Sequence, residues 1–373
     1  MSKQRFLSLD VFRGLTIFLM ITVNSPGLGA EPFAFLEHAQ WFGFTLADLV
    51  FPSFLFAVGN AMSFSIKKFD SDADFLKKVL KRTFLIFLFG YLMYWFPFFV
   101  VGEDGSIGIS PISDTRVMGV LQRIALCYGF AAIIVRYLSV KMILIVSAFL
   151  LFGYWIILYL FGVPGEELTK MGNAGTLLDH FILGDSHLYH GDGGDAFDPE
   201  GILSTLPSIV NVLFGYLAGL YIQKGGKNYE TIAKLLMAGA VLLLGAVTWD
   251  LMFPIGKKLW TSSFVLYTVG IDLLMISCLI YLVEIKNIKF GVNFFNILGK
   301  NPLFLYLLSE ILYMTMRMIY VAPDLDTYGW FSIKIFQTIA PGPIGSLLMA
   351  LAFTMVCWLA GYWLDKKKIY IKI

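Results

Sequence analysis

Residues 5–60, RFLSLDVFRGLTIFLMITVNSPGLGAEPFAFLEHAQWFGFTLADLVFPSFLFAVGN, decide the fold. Two apolar runs flank a short loop that carries His38, the one histidine outside the long central loop. Polar side chains interrupt the apolar pattern on both sides: Asp10, Arg13 and Asn24 before it, Asp48 after it. An ionisable group inside a membrane segment costs roughly 3 kcal/mol on insertion scales, so such residues are functional candidates by default.

Outward from this stretch, the 373 residues are 58% hydrophobic, 16% aromatic and only 14% charged. A soluble globular chain carries about 25% charged residues. The deficit and the long apolar runs predict an all-α, polytopic membrane protein with about ten transmembrane helices. The spans fall near 11–23, 45–66, 83–101, 117–137, 142–161, 203–222, 232–253, 264–283, 298–319 and 344–364. The first run carries Arg13 and is followed by no small-residue cleavage pattern, so it reads as a retained helix rather than a signal peptide. It stops before Asn24 and Pro26, which predicts a loop dipping back into the bundle. Non-helical backbone at that depth needs protein or a polar cavity around it. Cys127, Cys278 and Cys357 lie in apolar runs, against a disulfide framework. The net charge of +2 decides little, because its distribution matters more.

The connections 67–82, 136–141, 223–227, 284–289 and the tail 365–373 are rich in Lys and Arg. The alternate connections are not: 102–115 holds neither residue, and 163–202 holds only Lys170. By the positive-inside bias both termini are cytoplasmic, and His38 and the polar 163–202 loop are external. The basic segment 67–82 reads as an amphipathic helix on the inner surface. It acts either as a topogenic signal or as an attraction for a polyanion such as a nucleotide. Gly215 and Gly219 are spaced for close helix packing. Trp95, Trp260 and Trp363 read as interfacial anchors.

His38 can exchange a proton near neutral pH, as a general base or as a nucleophile that carries an acyl group. Trp41 beside it offers an aromatic face to a sugar, or is an interfacial anchor. Asn24 can hold an oxyanion or orient an acceptor, or it satisfies the carbonyls at a helix end. Asp10 and Arg13 share a helical face and can pair. Asp48 can cap the second helix or hold the imidazole in one tautomer. Arg116 and Arg123 bracket the start of the fourth span, and Arg123, two turns inside, needs an acid or a polar cavity. Asp250, Asp272, Glu310 and Arg317 are further ionisable groups in or near the membrane. His187 and His190, with Asp192 and Asp195 near, are of types that ligate zinc, but their spacing is loose, and they read instead as a surface loop or as a contribution to acceptor recognition. No phosphate-binding loop, cysteine cluster with metal spacing or GxSxG is present, so no metal is expected.

Six blocks carry a resemblance: 8–24, HAQWFGFTLADLVFPSFLFAVG (38–59), GVLQRIALCY (119–128), FDPEGILSTLPSI (197–209), LWTSSFVLYTVG (259–270) and LGKNPLFLYLLSE (298–310). In this order they resemble bacterial relatives of heparan-alpha-glucosaminide N-acetyltransferase, over nearly the whole chain. The opening is also similar to a wider superfamily of transmembrane acyltransferases, with Arg5, Asp10, Arg13 and Gly14 on its outline. Asn24 stands where that superfamily ends its first helix in histidine, and His38 matches the histidine of the acetyltransferase branch. The resemblance implies one transmembrane acyltransferase domain over 1–373. It would move acetyl from cytoplasmic acetyl-CoA to an external acceptor, with His38 as base and Asn24 positioning the acceptor or stabilising the oxyanion. An acetyl-histidine route stays open. Asp10, Arg13, Asp48 and Trp41 would support the site. On charge and stem length, Arg123, Arg82 and Lys81 are the candidates for the CoA phosphates. A bacterial inner membrane is the expected location. The partners expected are the bilayer, acetyl-CoA and an external glycan or amino-sugar amine, with a homodimer an open arrangement and no nucleic acid. The competing class is a transporter or exporter of a small polar or glycan-related solute, which predicts repeat symmetry and matching broken helices. Neither is visible in the sequence.

Overall fold

A computed structural model describes residues 6–66, 71–101, 106–191 and 193–371. Arg5, Asp192 and the first part of the basic 67–82 segment lie outside the described residues. The protein is an all-α, polytopic membrane protein. Long helices run over α1 (Leu7–Asn24), α2 (Leu46–Met62), α3 (Asp72–Trp95), α4 (Val120–Tyr137) and α5 (Val140–Phe161). After a short α6 (Ala174–Leu183) come α7 (Thr205–Gly225), α8 (Tyr229–Asp250) and α9 (Ser262–Leu279). The last part holds α10 (Val292–Lys300), α11 (Pro302–Met318), the brief α12 (Thr327–Trp330) and α13 (Gln337–Ile339), and α14 (Pro343–Lys366). Among the described residues, seven helices are long and apolar enough to cross a membrane. α2, α3 and α11 occupy the remaining three predicted spans.

Two expectations change. The described part of the basic segment is not a separate surface helix: α3 runs unbroken from Asp72, with the Ser71 hydroxyl accepting from Asp74 N–H (3.1 Å) as its cap. Phe75 and Val79 face inward, while Lys77, Lys78 and Lys81 stay exposed. The predicted span 298–319 is divided at Asn301, because Pro302 lacks an N–H and suits the first position of a new helix.

Successive helices reverse direction, so the connections fall into two sets. One end gathers 25–45, 96–119, 162–204, 251–261 and 319–342 and is called here the His38 end. The opposite, basic end is tied by Lys227–Glu284 (2.6 Å), Lys300–Asp365 (2.6 Å) and Arg136–Asp72 (2.8 Å). Two antiparallel strands, β1 (Phe99–Val101) and β2 (Ile107–Ile109), form a small hairpin at the His38 end.

α2 packs along α7, α8 along α9, and α1 along α10. With lipid on the outside, helix association rests on close packing rather than on hydrophobic transfer. Gly59 and Gly215 make the α2–α7 pair intimate. A Cβ at Gly215 would lie 2.0 Å from the Phe56 carbonyl oxygen, and one at Gly59 would lie 1.9 Å from that of Val212. Gly215→Ala should therefore destabilise the protein by about 1–3 kcal/mol, the usual range for overpacking. Gly245→Ala, whose nearest neighbour would be the Leu266 side chain at 3.9 Å, should be neutral or stabilising. Thermal unfolding of the two variants in one detergent checks the contrast.

Candidate active site

α2 begins with Thr45 as its N-cap, and Asp48 stands in its first turn. The Asp48 carboxylate is fully buried and accepts from three N–H donors. The backbone of Thr45 (3.0 Å) and Ala39 (3.2 Å) bond Oδ2, and His38 Nδ1 bonds Oδ1 (2.8 Å). A carboxylate at a helix N-terminus also sits at the positive end of the helix dipole. With Nδ1–H committed to Asp48, the neutral imidazole has its lone pair on Nε2.

The ring keeps 40% of its side-chain surface, which opens onto a cavity of about 1320 Å³. Lys257 Nζ lies 3.0 Å from Nε2 and 3.2 Å from Nδ1. An atom on the Nε2 lone-pair axis would be far from Nδ1, so the near-equal distances place the ammonium across the ring face. The in-plane lone pair stays open. Burial and this cation hold His38 below its ordinary value of about 6.5, and Asp48 works against them. Burial and the neighbouring Lys258 likewise depress Lys257, with Glu200 and Asp48 opposing.

Asn24, at the end of α1, lines the same cavity and donates from Nδ2 to Glu310 Oε1 (3.2 Å). The loop after it turns into the bundle, as the position of Pro26 suggested. Its carbonyls are taken up by the last part of the chain: Tyr328 bonds Ser25 O (2.7 Å), Ser346 Gly27 O (2.9 Å) and Ser332 Leu28 O (2.8 Å). Trp41 stands on the cavity wall, with Nε1–H donating to Leu168 O (2.8 Å).

Among its described residues, the 162–204 connection is an ordered cap. Arg116 grips Asp198 through two bonds (2.9 and 2.6 Å) and Glu200 through a third (2.7 Å). Its guanidinium lies between the rings of Tyr94 (4.9 Å) and Tyr189 (4.7 Å). Burial works against the Glu200 charge, but Arg116, Arg123 and Lys257 outweigh it and keep its carboxyl below the usual range. His187 and His190 serve this cap: His187 Nδ1 bonds Thr115 O (2.7 Å) and His190 Nε2 bonds Asp185 O (2.9 Å). No group of three metal-ligating side chains assembles among the described residues.

His38, Asn24, Trp41 and Asp48 thus come together. Asp10 and Arg13 do not: they lie 3.6 Å apart near the basic end, and Arg13 donates to Gly299 O (3.1 Å). At 1.5 Å per residue they stand roughly 16–21 Å along α1 from Asn24. Arg123 also departs from expectation. It is fully buried, donates to Gly201 O (2.8 Å), Ser208 Oγ (3.2 Å) and Ser204 Oγ, and stacks on Trp260. Its charge is spent on the turn into α7, so no phosphate reaches it in this arrangement. Lys81 and Arg82 lie in the basic half of α3, with Arg82 over the Tyr128 ring (4.6 Å). Lys257 and Glu200 were missed as site residues. Glu200 lies inside the FDPEGILSTLPSI block and Lys257 two residues before LWTSSFVLYTVG, so proximity to those blocks was the available signal.

The fold and the site define a polytopic membrane protein whose buried Asp–His pair opens onto a large cavity at one end of the bundle. The acyltransferase domain family matches residues 6–363, and the chain belongs to that family. It is similar to heparan-alpha-glucosaminide N-acetyltransferase of Homo sapiens, with 27% identity over 362 residues, 82% of this chain and 53% of the relative. The Mus musculus protein of the same name is 26% identical over 430 aligned positions, covering 100% of this chain and 61% of the relative. The chain therefore spans a little over half the length of the curated relatives it matches.

Histidine titration followed by NMR should place His38 below about 6.5. Lys257→Met should move it up, and Asp48→Asn should move it further down. Because the folded ring binds its proton more weakly than the unfolded chain, its contribution to stability is complete above about pH 6.5 and is lost as pH falls through the folded value. An unchanged titration in Lys257→Met would remove the ring-face cation from this account.

Proposed function

We propose that the protein transfers the acetyl group of cytoplasmic acetyl-CoA to an amine, a terminal amino-sugar amine by preference, presented at the His38 end. The observation that carries this reading is the open Nε2 lone pair, backed by buried Asp48, in a cavity that also receives Asn24. In this reading the enzyme lies in a bacterial inner membrane with both termini cytoplasmic.

The cavity's about 1320 Å³ exceeds the roughly 300–1,000 Å³ usual for a single ligand, which supports donor and acceptor meeting in one space. The acceptor nitrogen attacks the thioester carbonyl while Nε2 takes its proton. Asp48 accepts the Nδ1–H bond throughout and stabilises the imidazolium as it forms. Collapse of the tetrahedral intermediate breaks the C–S bond, and the departing sulfur takes the proton back from His38. Asn24 commits one N–H to Glu310, so its second N–H and its carbonyl oxygen are left for the oxyanion and the acceptor amine. Lys257 adds positive charge beside the reacting centre. Lys81 and Arg82 are retained as candidates for the nucleotide phosphates on the side where CoA arrives. An acetyl-histidine route would use the same lone pair.

The test is labelled acetyl-CoA with purified protein in lipid nanodiscs and a panel of amino sugars. His38→Ala should lower transfer by about 10²–10⁴-fold, the usual contribution of a positioned base, while CoA binding persists. A wild type that neither binds CoA nor acetylates any amine would sink the proposal. Equal transfer by the variant would remove His38 from its role.

A further inference from the structure

Among the described residues, Lys227 pairs with Glu284 (2.6 Å), Lys234 with Glu230 (2.6 Å), Lys300 with Asp365 (2.6 Å) and Lys170 with Asp195 (3.0 Å). Lys257 differs. Among the described residues its ammonium has no carboxylate at ion-pair distance, and its partner is the imidazole of His38. The turn that carries it is rigid. Asp250 accepts from Ile255 N–H (2.6 Å), Thr261 Oγ1 from Gly256 N–H (3.1 Å), and Gly43 N–H donates to Ile255 O (2.8 Å). The turn is thereby tied to the loop that bears His38. Lys257 also lines the cavity. A primary amine is thus built into the site within about 3 Å of the base, the reach required of a group that gives up a proton to it. To give up a proton to Nε2, Nζ would have to move from the ring face to the in-plane lone pair, by rotation about its terminal side-chain bonds.

We propose that Lys257 is an internal acetyl acceptor: when no external amine is present, its Nζ takes the acetyl group from the thioester, with His38 as base. This rests on the acetyl-transfer reading above. No further reactant is needed. The ammonium first loses one proton to solvent through the cavity. The freed nitrogen pair then forms the N–C bond while His38 Nε2 takes a second proton, and the C–S bond breaks with its pair on sulfur. His38 passes that second proton to the sulfur. The products are Nε-acetyl-Lys257, CoA thiol and one proton released to solvent. Burial and Lys258 favour the neutral amine that the step needs. Unlike an acetyl-imidazole, an amide does not hand its acetyl group to a second amine. The modification therefore ends turnover, and it removes the positive charge over the imidazole. External acceptor protects by occupying the space that Nζ would enter.

The experiment incubates the full chain in nanodiscs with labelled acetyl-CoA and no amine, then maps label by peptide mass spectrometry before and after hydroxylamine. Lys258, the adjacent residue on the same cavity wall, reports uncatalysed acetylation. The expected result is hydroxylamine-stable acetyl on Lys257, at least about tenfold above Lys258, reduced by about that factor in His38→Ala and absent in Lys257→Arg. Glucosamine in excess should suppress it. Equal labelling of the two lysines, labelling independent of His38, or hydroxylamine-labile label alone would overturn the proposal. Transfer to glucosamine by the same preparation, measured in parallel, separates the two ideas. Transfer without Lys257 labelling refutes only the internal acceptor, whereas neither transfer nor label refutes both.

Discussion

The fully buried carboxylate of Asp48 is the constraint on which this end of the protein depends. It closes the first turn of α2, holds the Ala39 amide and fixes the His38 ring in one tautomer. A carboxylate in a dry site is tolerable only with its oxygens satisfied, and here the donors that satisfy it are the ones that shape the loop. Helix start and base orientation are one interaction. The loop can therefore carry a precise side chain although it is not itself regular structure.

Charge at the cavity is arranged in two registers. Arg116 with Asp198 and Glu200 is a closed cluster that fastens the cap and offers little to a ligand. Lys257 and His38 form an open pair, in which a cation meets an aromatic base rather than an acid. Each has its proton affinity lowered by burial, and the ammonium lowers that of the imidazole further. Buried ion pairs are weak contributors to stability, so the closed cluster is better understood as fixing geometry.

Much of this was legible in the sequence because membrane segments obey severe rules. Apolar length marked the helices, and the alternation of Lys and Arg among connections sorted them into two ends. Asn24 and Asp48 stood out as polar residues at the edges of apolar spans, and His38 and Trp41 as a base and an aromatic ring in the short loop between them. The rest depended on contacts across long sequence distances. Nothing local to Lys257 announces that it lies on a histidine more than two hundred residues earlier. Arg123 looked like a ligand cation because charge at depth is equally the mark of a strut, and only its three partners decide which it is. The order of the 162–204 cap was not legible because it comes from Arg116 and Trp41, not from its own pattern. Asn301–Pro302 divided a span whose hydropathy is continuous.

The loop that follows Asn24 is held by Tyr328, Ser332 and Ser346. That pairing has a consequence for biosynthesis. The connection after α1 finds these hydrogen-bond partners only when Tyr328, Ser332 and Ser346, some three hundred residues later, have entered the membrane. Until then the carbonyls of Ser25, Gly27 and Leu28 have no protein donors, and the wall behind Asn24 is missing. The bundle can be inserted helix by helix, but the reacting end is completed last. A chain arrested before Tyr328 would contain His38 and Asp48 while lacking the support behind Asn24.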